Sequence, residues 1–237
     1  MQLELLYKRA LFKISGESIQ GENTIIAWRK ALEVARRIAL CYGSGLTIGI
    51  VMGGGNIWRG RDSDEMPRVY ADHIGMLATV QNMIAMERAL IALGVPTISM
   101  SAISMPMITE TFNQKKMMSH LDKKRVVIFG GGLGTPFNST DETAALRAAE
   151  MEADMLIKFS TVDGIYDKDP RKHEDAIMFD EITFNEVISR GLKIMDATAF
   201  TKCQQNNVPI HVLNMDPLDN IVDAVTLRKK IGTVVKG

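Results

Sequence analysis

The chain has 237 residues, 46% of them apolar and 24% charged, with a formal net charge of zero at pH 7. This is ordinary globular composition, the charge balance argues against an extended nucleic-acid surface, and no apolar run approaches the ~20 residues that span a bilayer. The two cysteines, Cys41 and Cys203, stand far apart and exclude both a disulfide scaffold and a cysteine-based zinc module.

The N-terminal stretch Met1 to Tyr7 lacks the basic-then-apolar layout of a secretory signal, so a cytoplasmic protein is expected. The first strand is expected over 10–15 and ends in Lys13-Ile14-Ser15-Gly16. A lysine inside an otherwise apolar strand is costly unless its ammonium reaches an anion or water. Lys13 therefore reads either as a solvated residue of an edge strand or as a mobile point charge projecting into a phosphate site. A helix follows over 27–41, then a strand over 46–52 that runs into Gly53-Gly54-Gly55-Asn56, with Arg59 shortly beyond. Glycines let backbone N–H groups approach an anion closely, and an arginine fork suits phosphate oxygens. A bare tight turn with a surface arginine is the plainer alternative.

A helix is expected over 71–93. Met76, Leu77, Val80, Met83, Ile84, Met86, Leu90 and Ile91 cover most of its circumference, the pattern of a buried helix. It is either a central core helix or one that also packs on a second subunit. Asp72 is placed at its start, where it offsets the helix dipole or accepts hydrogen bonds from sugar hydroxyls. A strand over 95–100, a helix over 113–121 and a strand over 125–129 come next. The last enters a glycine-rich loop from Gly130 to Thr140, and a helix over 141–151 begins with Thr140 as its expected N-cap. A helix N-terminus beneath a glycine loop is an anion site. Lys158 lies near the end of a strand over 154–159 and reads as a second cation or as a lysine that snorkels to water. The turn signals Asp163-Gly164 and Asp169-Pro170 flank Tyr166, which either stacks on a base or packs. A helix over 196–206, with Asp196 as N-cap or site residue, and a strand over 209–213 complete the pattern.

The strands are apolar almost throughout, as in a parallel sheet covered on both faces. Alternation with helices gives an α/β fold of one domain, with ligands outside the carboxyl ends of the strands. Several glycine loops with two lysines and an arginine in reach suggest more than one phosphate group in one cleft. The sequence contains no G-x-x-x-x-G-K-[ST] loop, no H-R-D or D-F-G pair, no complete G-x-G-x-x-G and no G-x-S-x-G elbow. The four histidines are scattered without ligand spacing, so no metal-binding residues are expected.

Read in order, Lys13-Ile14-Ser15-Gly16-Glu17, Gly53-Gly54-Gly55-Asn56 with Arg59-Gly60, Asp72-His73-Ile74-Gly75-Met76-Leu77-Ala78-Thr79, Pro136-Phe137 with Ser139-Thr140-Asp141, Thr161-Val162-Asp163-Gly164-Ile165-Tyr166 and Lys193-Ile194-Met195-Asp196 resemble the motif series of the bacterial uridylate (UMP) kinases, a family of the amino acid kinase superfamily. The resemblance implies a three-layer αβα sandwich with a mainly parallel sheet. It implies transfer of the ATP γ-phosphoryl group to UMP, in pyrimidine nucleotide biosynthesis, with Mg2+ and without a dedicated metal cage. It also implies a homohexamer built as a trimer of dimers, acting on no nucleic acid or membrane. By position, Lys13, Ile14, Ser15, Gly16, Gly55, Arg59, Ser160, Tyr166 and Asp169 would meet ATP. Gly54, Asp72 and the loop of Leu133, Gly134, Thr135, Pro136, Phe137, Asn138, Ser139 and Thr140 would meet UMP. Lys13, Arg59, Lys158 and Asp141 would carry the chemistry, with Asp141 orienting a lysine. The family often has threonine at the position of Leu133, asparagine at Thr135 and an aromatic at Asn138, so uracil recognition falls more to backbone groups. A sibling kinase of a carboxylate, a carbamate or an isoprenoid phosphate, and a non-catalytic nucleotide sensor, are the alternatives.

Overall fold

A computed structural model describes residues 3–59, 66–192, 194–226 and 229–237. Gly60 and Lys193, which belong to the motif series above, lie outside the described residues. The apolar runs become strands β1 (Arg9–Ile14), β2 (Thr47–Met52), β3 (Thr97–Ser101), β5 (Val126–Gly130), β6 (Met155–Ser160) and β8 (Ile210–Asn214), joined by β4 (Glu110–Thr111), β7 (Glu181–Thr183) and β9 (Thr233–Lys236). All lie in one nine-stranded sheet in the order β4-β3-β5-β2-β1-β6-β8-β9-β7. From β4 to β8 each neighbouring pair is parallel. β9 turns antiparallel to β8, and β7 runs alongside β9.

The helices are α1 (Trp28–Gly43), α2 (Arg68–Ala92), α3 (Gln114–Asp122), α4 (Thr140–Glu150), α5 (Phe184–Ser189), α6 (Ala197–Gln205) and α7 (Asn220–Asp223). Successive strand residues point to opposite faces, and each face has its own core. Ala10, Phe12 and Ile14 of β1 pack with Val34 and Ile38 of α1 and Met83 and Met86 of α2. Leu11 between them packs with Ala144 and Ala145 of α4 and Phe200 of α6. The result is a three-layer αβα sandwich.

Four expectations change. β4, β7, β9, α5 and α7 were not expected from the sequence: β4 is Glu110-Thr111 and β7 is Glu181-Ile182-Thr183, too short and polar to register as apolar runs. α2 begins at Arg68, one turn early, so Asp72 sits inside the helix and not at its N-terminus. Leu77 and Ile91 are exposed, so the helix is not buried on every side; one flank remains open to a further contact. The N-cap of α4 is Ser139, not Thr140. Its hydroxyl accepts from the Glu142 N–H (3.1 Å) while Glu142 accepts from the Ser139 N–H (2.9 Å), a capping box.

Candidate functional site

β1 lies in the middle of the sheet between β2 and β6, which excludes the edge-strand reading of Lys13. Lys13 and Lys158 are register partners on adjacent strands. They share a face with Leu11 and Leu156, so both ammonium groups reach the layer that holds α4. Two like charges on neighbouring strands require a counter-charge, and α4 supplies it in its first turn. Asp141 Oδ1 lies 3.0 Å from Lys13 Nζ, and Asp141 Oδ2 lies 2.5 Å from Lys158 Nζ. Lys158 also donates to the Ile194 carbonyl.

Asp141 is 9% exposed and Lys158 is 7% exposed. Burial pushes the Asp141 carboxyl upward, but the Lys13 and Lys158 charges outweigh it and hold the group below its ordinary range. Burial pulls the Lys158 ammonium below its ordinary range, Lys13 adds to that fall, and Asp141 opposes it. Asp141 therefore orients both lysines, where the sequence suggested one.

Two clefts meet at this cluster. The first, about 760 Å3, is lined by Lys13, Gly54, Gly55, Trp58, Arg59, Arg68, Asp72, Asn138, Ser139, Thr140, Asp141 and Lys158, with Asp196 across from them. The second, about 560 Å3, is lined by Lys13, Ser15, Glu17, Lys158, Ser160, Thr161, Asn214 and Asp216. Gly55 and Arg59, grouped with the ATP residues from the sequence, line the first cleft beside Gly54 and Asp72. Arg59 pairs with Glu17, which lines the second, so its side chain spans the divide.

Other expected residues stand back. The Ile14 side chain is fully buried, leaving only its backbone to the site, and its carbonyl accepts from the Gly53 N–H (2.8 Å). Gly16 opens a 3-10 turn over Gly16–Ile19. A Cβ there would lie 2.1 Å from Asn56 Oδ1, so close packing between the two glycine turns requires the glycine. Tyr166 bridges Met178, and the Asp169 carboxylate accepts from the Arg171 N–H (3.0 Å). Both lie on the turn beyond Thr161, outside the walls of the two clefts. Leu133, Gly134, Thr135 and Pro136 form the loop behind Asn138. Phe137 is exposed at φ +64°, a left-handed backbone. Its N–H donates to Asp72 Oδ2 (2.8 Å), and Arg68 Nε donates to Asp72 Oδ1 (2.8 Å). Asp196 occupies the N-cap position of α6 but makes no side-chain cap bond.

Arg68, Trp58 and Asn82 were missed from the sequence. Arg68 had a signal, the i, i+4 spacing to Asp72. Asn82 had one too, as an amide within an apolar helix. Trp58 had none beyond its proximity to the glycine turn.

The family model described as the amino acid kinase family matches residues 8–214. The chain is similar to the solved structure of UMP kinase from Ureaplasma parvum, at 37% identity over 97% of this chain and 99% of that one, with a TM-score of 0.89. It is similar to UMP kinase from Bacillus anthracis at 31% identity, over 97% of this chain and 96% of that one, again with a TM-score of 0.89.

Proposed function

The chain belongs to the amino acid kinase family, and from that premise we propose that it transfers the γ-phosphoryl group of ATP to UMP, giving UDP and ADP, in pyrimidine nucleotide synthesis. The observation that carries this reading is the in-register pair Lys13 and Lys158, clamped by Asp141 where two clefts meet. UMP takes the first cleft, with its ribose against Asp72 and its base toward Asn138. ATP takes the second, with its phosphates over Ser15 and Ser160. The reacting phosphates then converge on the lysine pair.

The acceptor is a phosphate monoester with a second pKa near 6, by analogy with phosphorylated side chains. It is already an anionic nucleophile at neutral pH and needs no general base. The obstacle is repulsion. At ~4 Å and an effective dielectric of ~20, each unit-charge pair costs about 4 kcal/mol. Several such pairs outweigh the roughly 10²–10⁴-fold gain from general acid–base catalysis. Lys13 and Lys158 offset that repulsion as the phosphates approach, and Arg59 holds phosphate oxygens from the rim.

Both oxygens of Asp141 are taken by lysines, and among the described residues no three His, Cys, Asp or Glu gather into a metal cage. Mg2+ would be carried in by ATP as the MgATP substrate and would add to the charge neutralisation there. Exposed Tyr70, Ile74 and Leu77 on α2 support self-association, in keeping with the homohexamer we infer.

ADP release with UMP, CMP, acetylglutamate and isopentenyl phosphate offered separately tests the reading. Turnover with UMP above the others is expected. Turnover only with a carboxylate or isoprenoid acceptor, or nucleotide binding without turnover, would replace it.

A further inference from the structure

One stripe of α2 faces the site. Asp72, Gly75, Thr79 and Asn82 recur at spacings of three, four and three, which puts them on one side of the helix. Asp72 holds the Phe137 N–H, and the Gly54 backbone lies against Gly75: a Cβ on Gly54 would stand 2.9 Å from the Gly75 carbonyl oxygen, so this approach requires the glycine at 54. Thr79 Oγ1 accepts from the Gly131 N–H (2.8 Å) and donates to the Met76 carbonyl (2.7 Å). Asn82 Nδ2 donates to the Gly53 carbonyl and to Asn56 Oδ1, both at 2.7 Å, and Asn82 Oδ1 accepts from Asn56 Nδ2 (3.2 Å). A Cβ on Gly16 would lie 2.4 Å from Asn82 Nδ2, so the first glycine turn is seated on the same amide.

Thr79 is 4% exposed and Asn82 fully buried. Buried polar groups of this kind are costly unless paired. Here the Thr79 hydroxyl reaches the Gly131 N–H and the Asn82 amide reaches the Gly53 carbonyl, backbone groups of the turns at two strand ends. Gly131 and Gly132 are left-handed, at φ +75° and +59°. Glycine reaches that conformation freely, as it reaches others, and the Thr79 hydroxyl pins this one from the helix.

We propose that Thr79 and Asn82 are positioning residues with separate tasks. Thr79 sets the acceptor-side loop through Gly131. Asn82 braces the Gly16 and Gly53 turns against each other and so fixes where Lys13 emerges from β1. The assignment of the loops to acceptor and phosphate rests on the reading in the preceding subsection; the bracing itself does not.

Thr79→Val keeps the shape and removes both hydrogen bonds, while Thr79→Ser retains them. Asn82→Leu removes the amide at similar volume. Should it fail to fold, Asn56→Ala removes its reciprocal partner from the partly exposed side. The first readout is backbone amide hydrogen exchange on the substrate-free protein. Thr79→Val is expected to speed exchange around Gly131 at least about tenfold, with Thr79→Ser at wild-type rates. Asn82→Leu or Asn56→Ala is expected to do the same around Gly16 and Gly53. The second readout is kinetic. Thr79→Val is expected to raise KM for UMP about tenfold with KM for ATP unchanged, and Asn82→Leu to lower kcat about tenfold. Unchanged exchange in these variants would overturn the bracing whatever the turnover. Altered exchange in a wild-type background that turns over no UMP would uphold the bracing and sink the acceptor assignment.

Discussion

The two clefts that meet at Lys13 and Lys158 are built in different ways. The first is walled by a long helix whose side chains hook the loops around it: Asp72 holds Phe137, and Thr79 holds Gly131. The second is walled by strand ends, short turns and the Lys30, Glu33 and Val34 side of α1, with hydroxyl and amide groups from Ser15, Ser160, Thr161 and Asn214. Its turns carry short-range bonds, with Ser15 Oγ accepting from the Glu17 N–H and Asn214 Oδ1 from the Asp216 N–H, and one longer tie, Asn214 Nδ2 donating to Asp163 Oδ1 (3.0 Å). A wall anchored to a packed helix suits discrimination between acceptors, because its groups cannot relax toward a wrong one. Hydroxyls and backbone at strand ends suit phosphates, which present the same oxygens in every nucleotide. Lys13 and Lys158 line both clefts, and Asp141 holds the pair.

The comparison breaks most severely where the clefts share a group. Lys13→Ala is expected to lower kcat about 10²–10³-fold, the usual loss for one electrostatic donor, with KM for UMP changed far less. Steady-state rates at saturating ATP check this, and a variant of equal activity would remove Lys13 from the chemistry. Asp141→Asn takes the shared carboxylate from the buried Lys158 and the partly buried Lys13 and is expected to reduce unfolding free energy by about 3 kcal/mol in denaturant titrations. Because the Asp141 carboxyl is held below its ordinary range when folded, its contribution is full above the unfolded-state value. It is lost as pH falls through the lower folded-state one. The acid limb of the wild-type stability curve should therefore flatten in Asp141→Asn.

Asp72→Asn sharpens the contrast between clefts. It removes a charged hydrogen-bond acceptor from one side only, so KM for UMP should rise about tenfold or more while KM for ATP holds. An effect confined to ATP would exchange the two assignments. The smallest effect is expected at Asp196. Without a cap bond to lose, Asp196→Ala should leave the unfolding free energy unchanged within about 0.5 kcal/mol. A loss near 1 kcal/mol would restore it as a cap.

Much of this was legible in the chain because parallel strands buried on both faces leave long apolar runs, and runs such as Thr47–Met52 point to one element only. The lysines were legible because a charge inside such a run needs a reason. What stayed hidden was three-dimensional. No spacing rule tells that Lys13 and Lys158, far apart in the chain, are register partners, or that Asp141, expected to orient one lysine, lies between both. The stripe Asp72, Gly75, Thr79, Asn82 is open to reading in the sequence, but the apolar residues that dominate the helix mask the polar row. The edge strands were missed for an ordinary reason. Two or three residues such as Glu110-Thr111 carry no pattern, and only the neighbouring strand gives them their form.

The most direct test is a crystal structure with MgADP, UMP and an aluminium fluoride mimic of the transferred group. Lys13 and Lys158 Nζ are expected within hydrogen-bond distance of the fluoride, with UMP on the Asp72 side and ADP on the Ser15 side. Nucleotides seated with the mimic away from both ammonium groups would contradict charge neutralisation by the lysine pair.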